Sequence, residues 1–202
     1  MLIKEITMST ELLGKKMNQD LLGAGAQGIA FKKSSKINTI TKFYGLNSLS
    51  DPYYRFINTI EHYQDNPFFP KIHDHEIYEH KKFKAGSQLF KMTGVVVMEK
   101  LIPLNSSKLD YDHVIQLFHN LGIDIIELSS IGFALQDTNK TLKLASQTSN
   151  EQFKEALEVL AKISRSYDLH AGNWMIRPTS TGPQLVILDP VYDPYNLDEA
   201  SE

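Results

Sequence analysis

The sequence contains no cysteine. Disulfides, thiolate metal sites and cysteine nucleophiles are excluded together, and the chain is compatible with a reducing compartment. No apolar run approaches the ~20 residues of a membrane-spanning helix. The longest compact run, Gly94-Val95-Val96-Val97-Met98, has the length of a buried strand, so no membrane partner is expected. Neither sign of charge is in large excess: 21 Lys and Arg stand against 24 Asp and Glu, a net charge of −3. Nucleic-acid binding by bulk charge is thereby disfavoured, a local basic patch aside. Repeats and low-complexity blocks are also missing. Lys4 and Glu5 stand where a signal peptide would need an apolar stretch, and a cytoplasmic location is the expectation.

What is present reads as a globular chain. Apolar residues make up 42% and charged residues 22% of 202, enough to bury a core in one domain or two small lobes. Residues 1–17 are amphipathic, with Ser9-Thr10-Glu11 as a candidate helix opening over Leu12 and Leu13. From Leu21 a strand leads into a glycine turn. Residues 29–33 and 37–44 read as two further strands, the latter alternating with period two. Asp51-Pro52 supplies an N-cap and a first-turn proline, with Tyr54, Ile57, Ile60 and Tyr63 on one helical face and Asn66-Pro67 as the stop. Strands over 72–77 and 90–98 follow, joined by a basic stretch, 80–84, read as a solvated turn. Five strands and one helix thus form a sheet-rich lobe over residues 1–99.

The remainder, 100–202, reads as mainly helical. Val114, Ile115, Leu117, Phe118 and Leu121 mark one helix, with Gly122 as its cap or interruption. Residues 136–147 read as a turn-rich excursion. Ser149-Asn150-Glu151-Gln152 fits a capping box for a helix over Phe153, Ala156, Leu157, Leu160 and Ile163. Two strands, 173–177 and 184–188, then flank a loop over 178–183. The tail beyond Pro190 is acidic.

Three groups of residues carry chemistry. Gly23-x-Gly25-x-x-Gly28 occurs in dinucleotide folds, in hairpins folded over phosphates and in plain tight turns. The first needs a helix after the glycines, whereas Ile29-Ala30-Phe31 reads as a strand, so the two hairpin readings stay open. Lys42, on the adjoining strand, can place an ammonium on phosphates or simply project from a strand face. Asp168-Leu169-His170-Ala171-Gly172-Asn173 and Asp189-Pro190 bracket the second-half hairpin. Oxygen side chains from Asn173 and Asp189 meeting there suit Mg²⁺, a hard cation that keeps phosphate and water in its shell. Asp168 can orient an attacking hydroxyl and accept its proton. Capping and turn chemistry is the structural alternative for all three.

In this order the segments resemble the protein-kinase-like superfamily over residues ~20–192. The loop Asp168-Leu-His-Ala-Gly-Asn173 is closest to aminoglycoside and other small-molecule phosphotransferases. The resemblance implies a two-lobed α+β fold: an antiparallel five-stranded N-terminal lobe with one helix, and a reduced, mainly helical C-terminal lobe. It implies ATP over Gly23, Gly25 and Gly28, and Lys42 on the phosphates with Glu61 as its helix partner. The segment Val97-Met98-Glu99-Lys100-Leu101 would link the lobes and hold adenine through its backbone, with Glu99 and Leu101 as contacts. Mg²⁺ would sit on Asn173 and Asp189, with Asp168 as the base.

The chain departs from typical protein kinases in having Ser166-Tyr167 before Asp168, Pro190 after Asp189, and only 13 residues after Asp189, into which a conventional activation segment is not expected to fit. The expected function is transfer of the ATP γ-phosphate to a hydroxyl of a protein or small molecule. The alternative is a nucleotide-binding pseudoenzyme that regulates or inhibits a partner protein.

Overall fold

The computed structural model describes residues 6–9, 21–24, 28–32, 38–79, 81–85, 88–104, 110–125, 137–164, 167 and 169–190. The fold is α+β, with mainly antiparallel sheets and four α-helices among the described residues. It divides into two compact units, Met1–Tyr54 with Lys71–Lys100, and Arg55–Pro70 with Leu101–Glu202. The segment Arg55–Pro70 thus goes with the second unit, and the division falls inside the first helix.

In the first unit, a five-stranded sheet takes the order β2-β3-β4-β8-β5. Its members are β2 (Leu21–Ala24), β3 (Gly28–Lys32), β4 (Thr39–Leu46), β5 (Ile72–Tyr78) and β8 (Met92–Glu99), and all neighbours run antiparallel. These are the five strands expected. The β-branched and aromatic run of β4 alternates as a pleat requires: Thr39, Thr41 and Phe43 are buried, Ile40 and Lys42 half-buried. Lys42 stands in mid-strand.

A second sheet, β1-β6-β7, was not foreseen. It comprises β1 (Ile6–Ser9), β6 (Lys81–Ala85) and β7 (Gln88–Phe90), with β1 parallel to β6. The stretch read as a basic solvated turn is therefore a strand. Phe83 decides this: fully buried, it joins Ile29, Phe31, Phe43 and Phe90 in one core, and burying such a ring is worth about 1.5–3 kcal/mol. Ser9 closes β1; the rest of the helix opening expected over Ser9-Thr10-Glu11, with Leu12 and Leu13, lies outside the described residues.

The first helix, α1 (Pro52–Ile60), starts as expected. The carboxylate of Asp51 accepts from the backbone N–H groups of Tyr53 and Tyr54, at 3.0 and 3.4 Å. The cap fixes the helical phase, and the buried positions are Tyr53, Phe56, Ile57 and Ile60, the i, i+3, i+4, i+7 series. Of the expected face, Ile57 and Ile60 are buried, while Tyr54 and Tyr63 are half-buried and Tyr53 and Phe56 complete the stripe. The helix also ends earlier than Asn66: Tyr63 N–H turns back to the Ile60 carbonyl at 2.9 Å, a tightened last turn.

In the second unit, α2 (Tyr111–His119) is capped by Asp110. It ends on Gly122, at φ 83°. Ile123 N–H bonds Phe118 O, and Gly122 N–H bonds His119 O, the Schellman pattern that glycine makes accessible. The excursion expected over 136–147 is instead a helix, α3 (Thr138–Gln147), started by Asp137, whose side chain accepts from Lys140 N–H. Its polar first turn imitates a loop, while Thr141, Leu144 and Ala145 bury its inner face. The cap of α4 (Glu151–Ile163) is Asn150, accepting from Phe153 N–H at 2.9 Å. This is one residue later than a capping box on Ser149 would give.

Strands β10 (Trp174–Thr179) and β11 (Gly182–Ile187) form the expected hairpin, and β9 (Ile102–Pro103) extends it on the β10 side. The turn is narrower than 178–183, because Pro178 and Pro183 face each other in register. Thr179 closes it by donating from its hydroxyl to Gly182 O at 2.6 Å.

Candidate functional site

In the first unit, the glycine segment joins two antiparallel strands: Gly23 lies in β2 opposite Ala30, and Gly28 opens β3 opposite Tyr44. A strand, not a helix, follows the glycines, which removes the dinucleotide-fold reading. Gly25 lies outside the described residues. Gly28 has a packing role. A Cβ there would lie 2.8 Å from Phe43 O and 3.2 Å from Lys42 Cε, so the Lys42 stem runs close over the bare Cα. The ammonium ends 3.8 Å from the centroid of the Tyr53 ring.

The same sheet face carries Tyr44, whose hydroxyl shares a 2.7 Å hydrogen bond with His75 Nε2. Its ring meets Tyr53 edge-on at 4.8 Å and lies flat over Gly94, where any Cβ would collide with ring carbons. Gly28, Ala30 and Gly94 keep this face shallow, with Lys42 and Tyr44 lying across it.

Glu99, the last residue of β8, grips Lys71 twice. Its backbone N–H donates to Lys71 O at 3.0 Å, and its carboxylate accepts from Lys71 N–H at 2.7 Å. The next residue, Lys100, donates its backbone N–H to Asn38 O at 2.9 Å. The segment expected to hold adenine is thus fastened on both sides within this unit.

No family model matches the chain, and no curated protein does.

In the second unit, a 3₁₀ turn, Ala171–Asn173, leads into β10. His170 Nδ1 accepts from Gly172 N–H at 2.9 Å, and Asn173 N–H donates to His170 O at 2.9 Å. Trp174, fully buried, donates from its indole to Leu169 O at 3.2 Å and packs edge-on against Phe118 at 5.1 Å. The loop is therefore pinned on both sides of Asn173. Leu188 N–H bonds Asn173 O at 2.9 Å, continuing the ladder by one pair, so Leu188 stands opposite Asn173 and Asp189 follows at the open end of the hairpin. Both are half-buried. Among the described residues no group of three or more His, Asp or Glu could hold a metal ion.

Asp168 lies outside the described residues. Leu101 precedes β9, half-buried. Glu61 belongs to this unit and stands in the turn after α1, not late in the helix as expected. Its N–H bonds Ile57 O at 3.2 Å. Sequence reasoning missed Tyr53, in whose place it took the neighbouring Tyr54, and Tyr44 with Gly94. A glycine inside a valine-rich strand was the available signal, since it marks close approach of a neighbour.

Proposed function

We propose that the chain is a compact ATP- and Mg²⁺-dependent phosphotransferase of the protein-kinase-like type, acting on a hydroxyl of a protein or small molecule. The observation that carries this reading is Lys42, in mid-strand beside a glycine hairpin, its stem lying over Gly28. An ammonium in that setting suits phosphate charge, and bare glycine lets backbone approach a ligand closely.

Asn173 and Asp189 would hold Mg²⁺, which when bound supplies charge neutralisation on the phosphates. Asp168 orients the acceptor. The hydroxyl oxygen bonds the γ-phosphorus, the bond from that phosphorus to the β–γ bridging oxygen breaks, ADP leaves, and the hydroxyl proton passes to Asp168. The backbone from Glu99 to Leu101 is the proposed adenine contact.

Two substitutions test the roles by Mg-ATP calorimetry beside mass spectrometry of transferred phosphate. Asp189→Asn lowers both nucleotide binding and transfer. Asp168→Asn leaves binding close to wild type and suppresses transfer by roughly a hundred-fold or more. Loss of nucleotide binding in Asp168→Asn refutes the assigned roles. Wild-type binding with no transfer to any acceptor returns the chain to a binding module.

A further inference from the structure

We propose that Tyr53 is a positioning residue for Lys42, its ring face fixing the ammonium where the glycine hairpin presents phosphates. The inference rests on the phosphotransferase reading, which supplies the purpose of that placement. The geometry supplies the rest. The ammonium lies 3.8 Å from the ring centroid, well inside the ~6 Å reach of a cation–π contact.

The ring cannot readily turn away. Tyr53 is 4% exposed, and its backbone N–H is held by the Asp51 cap at 3.0 Å. Its ring abuts Tyr44 edge-on, with an interplanar angle of 81°. Tyr44 is itself tied to His75 and seated on Gly94. On the other side, the Gly28 backbone sets the path of the lysine stem.

A lysine side chain has many rotamers to lose on binding. Here ring and glycine impose that loss before a ligand arrives, which is preorganisation. An ammonium carries three N–H donors.

Two measurements on the full chain test this. In the first, proton NMR follows the Lys42 ε-methylene group, which the ring current of Tyr53 shifts upfield. The shift persists in Tyr53→Phe and disappears in Tyr53→Leu; an unshifted wild-type resonance overturns the contact and with it the proposal.

In the second, Mg-ATP is titrated into proteins carrying phenylalanine, then mono-, di- and trifluorophenylalanine, at position 53. Fluorine drains the ring face of negative charge at nearly constant size, so a packing role alone would not respond. Phenylalanine keeps affinity within about two-fold, and the fluorinated series weakens it stepwise, by roughly ten-fold overall. In a Lys42→Met background the series is flat. A flat series with Lys42 present, a series that rises, or an equal slope without Lys42 overturns the positioning role. A shifted resonance in a wild-type protein that binds no Mg-ATP refutes the phosphotransferase reading first. It also ends the positioning role while leaving the contact standing.

Discussion

At Lys42 and Gly28 one small absence, a missing Cβ, decides where a charge can lie. Gly28→Ala would push a methyl against Phe43 O and Lys42 Cε. We expect weaker Mg-ATP binding, by calorimetry, together with a loss of about 1–3 kcal/mol in denaturant unfolding. Lys42→Ala should abolish most of the same binding while Lys84→Ala, on an exposed position of β6, changes little; equal effects would place the site elsewhere. Thr141 presents the opposite case. Its hydroxyl is fully buried with no hydrogen-bond partner among the described residues. Burying such a group costs about 1–3 kcal/mol, so Thr141→Val should raise the urea midpoint, and a fall would mean the hydroxyl is satisfied.

At the scale of elements, start signals decide more than apolar content. Asp137 starts a helix from a sequence that otherwise resembles a loop. Asp137→Ala should cost about 1 kcal/mol and speed amide exchange in 138–141 first; unchanged exchange would show that packing alone holds α3.

The same consideration explains what could be read beforehand. The five strands of the main sheet, α1, α4 and the β10–β11 hairpin were legible because apolar residues recur there at strand or helix period. β6 was not, because lysines surround its one decisive residue, Phe83. α3 was not, because its first turn is polar throughout. At the candidate site, residue type and order single out the glycines, Lys42, Asn173 and Asp189. Tyr53 was hidden because Tyr54, its neighbour of the same type, also falls at helical spacing from Ile57, and the sequence alone does not separate the two.

On the scale of the whole molecule, the second unit is stitched across long sequence separations. Arg177 donates to Pro67 O at 2.7 Å and to Phe69 O at 2.8 Å. Asn66 donates to Gln152 O and to the Glu155 carboxylate, each at 2.8 Å, and Ile187 N–H bonds Phe68 O at 2.8 Å. These bonds explain why Arg55–Pro70 groups with residues far along the chain. Removing both charge-assisted bonds in Arg177→Met should lower stability by about 2–4 kcal/mol, seen as a lower Tm.

Tyr167 adds a pH limit. Burial, its largest influence, and the Asp137 charge raise its phenol above the usual 10.0, against a lowering hydrogen bond from Thr138. A folded-state value above the unfolded one gives stability that is complete below pH ~10 and lost as pH rises through the folded value. The wild type should therefore lose Tm above pH 10 more steeply than Tyr167→Phe; parallel curves would refute the burial effect.

The interleaving of the two units has a consequence for synthesis. Residues 55–70 leave the ribosome before the first unit is complete at Lys100, yet their partners Gln152, Glu155, Arg177 and Ile187 emerge much later. At typical elongation rates the nascent chain carries Phe68 and Phe69 without their partners Phe153, Arg177 and Ile187 for roughly five to twenty seconds. During that interval the first unit can already close its sheets. The newborn protein therefore passes through a stage with one finished half and an aromatic strap awaiting its seat, a stage that a holding chaperone would recognise.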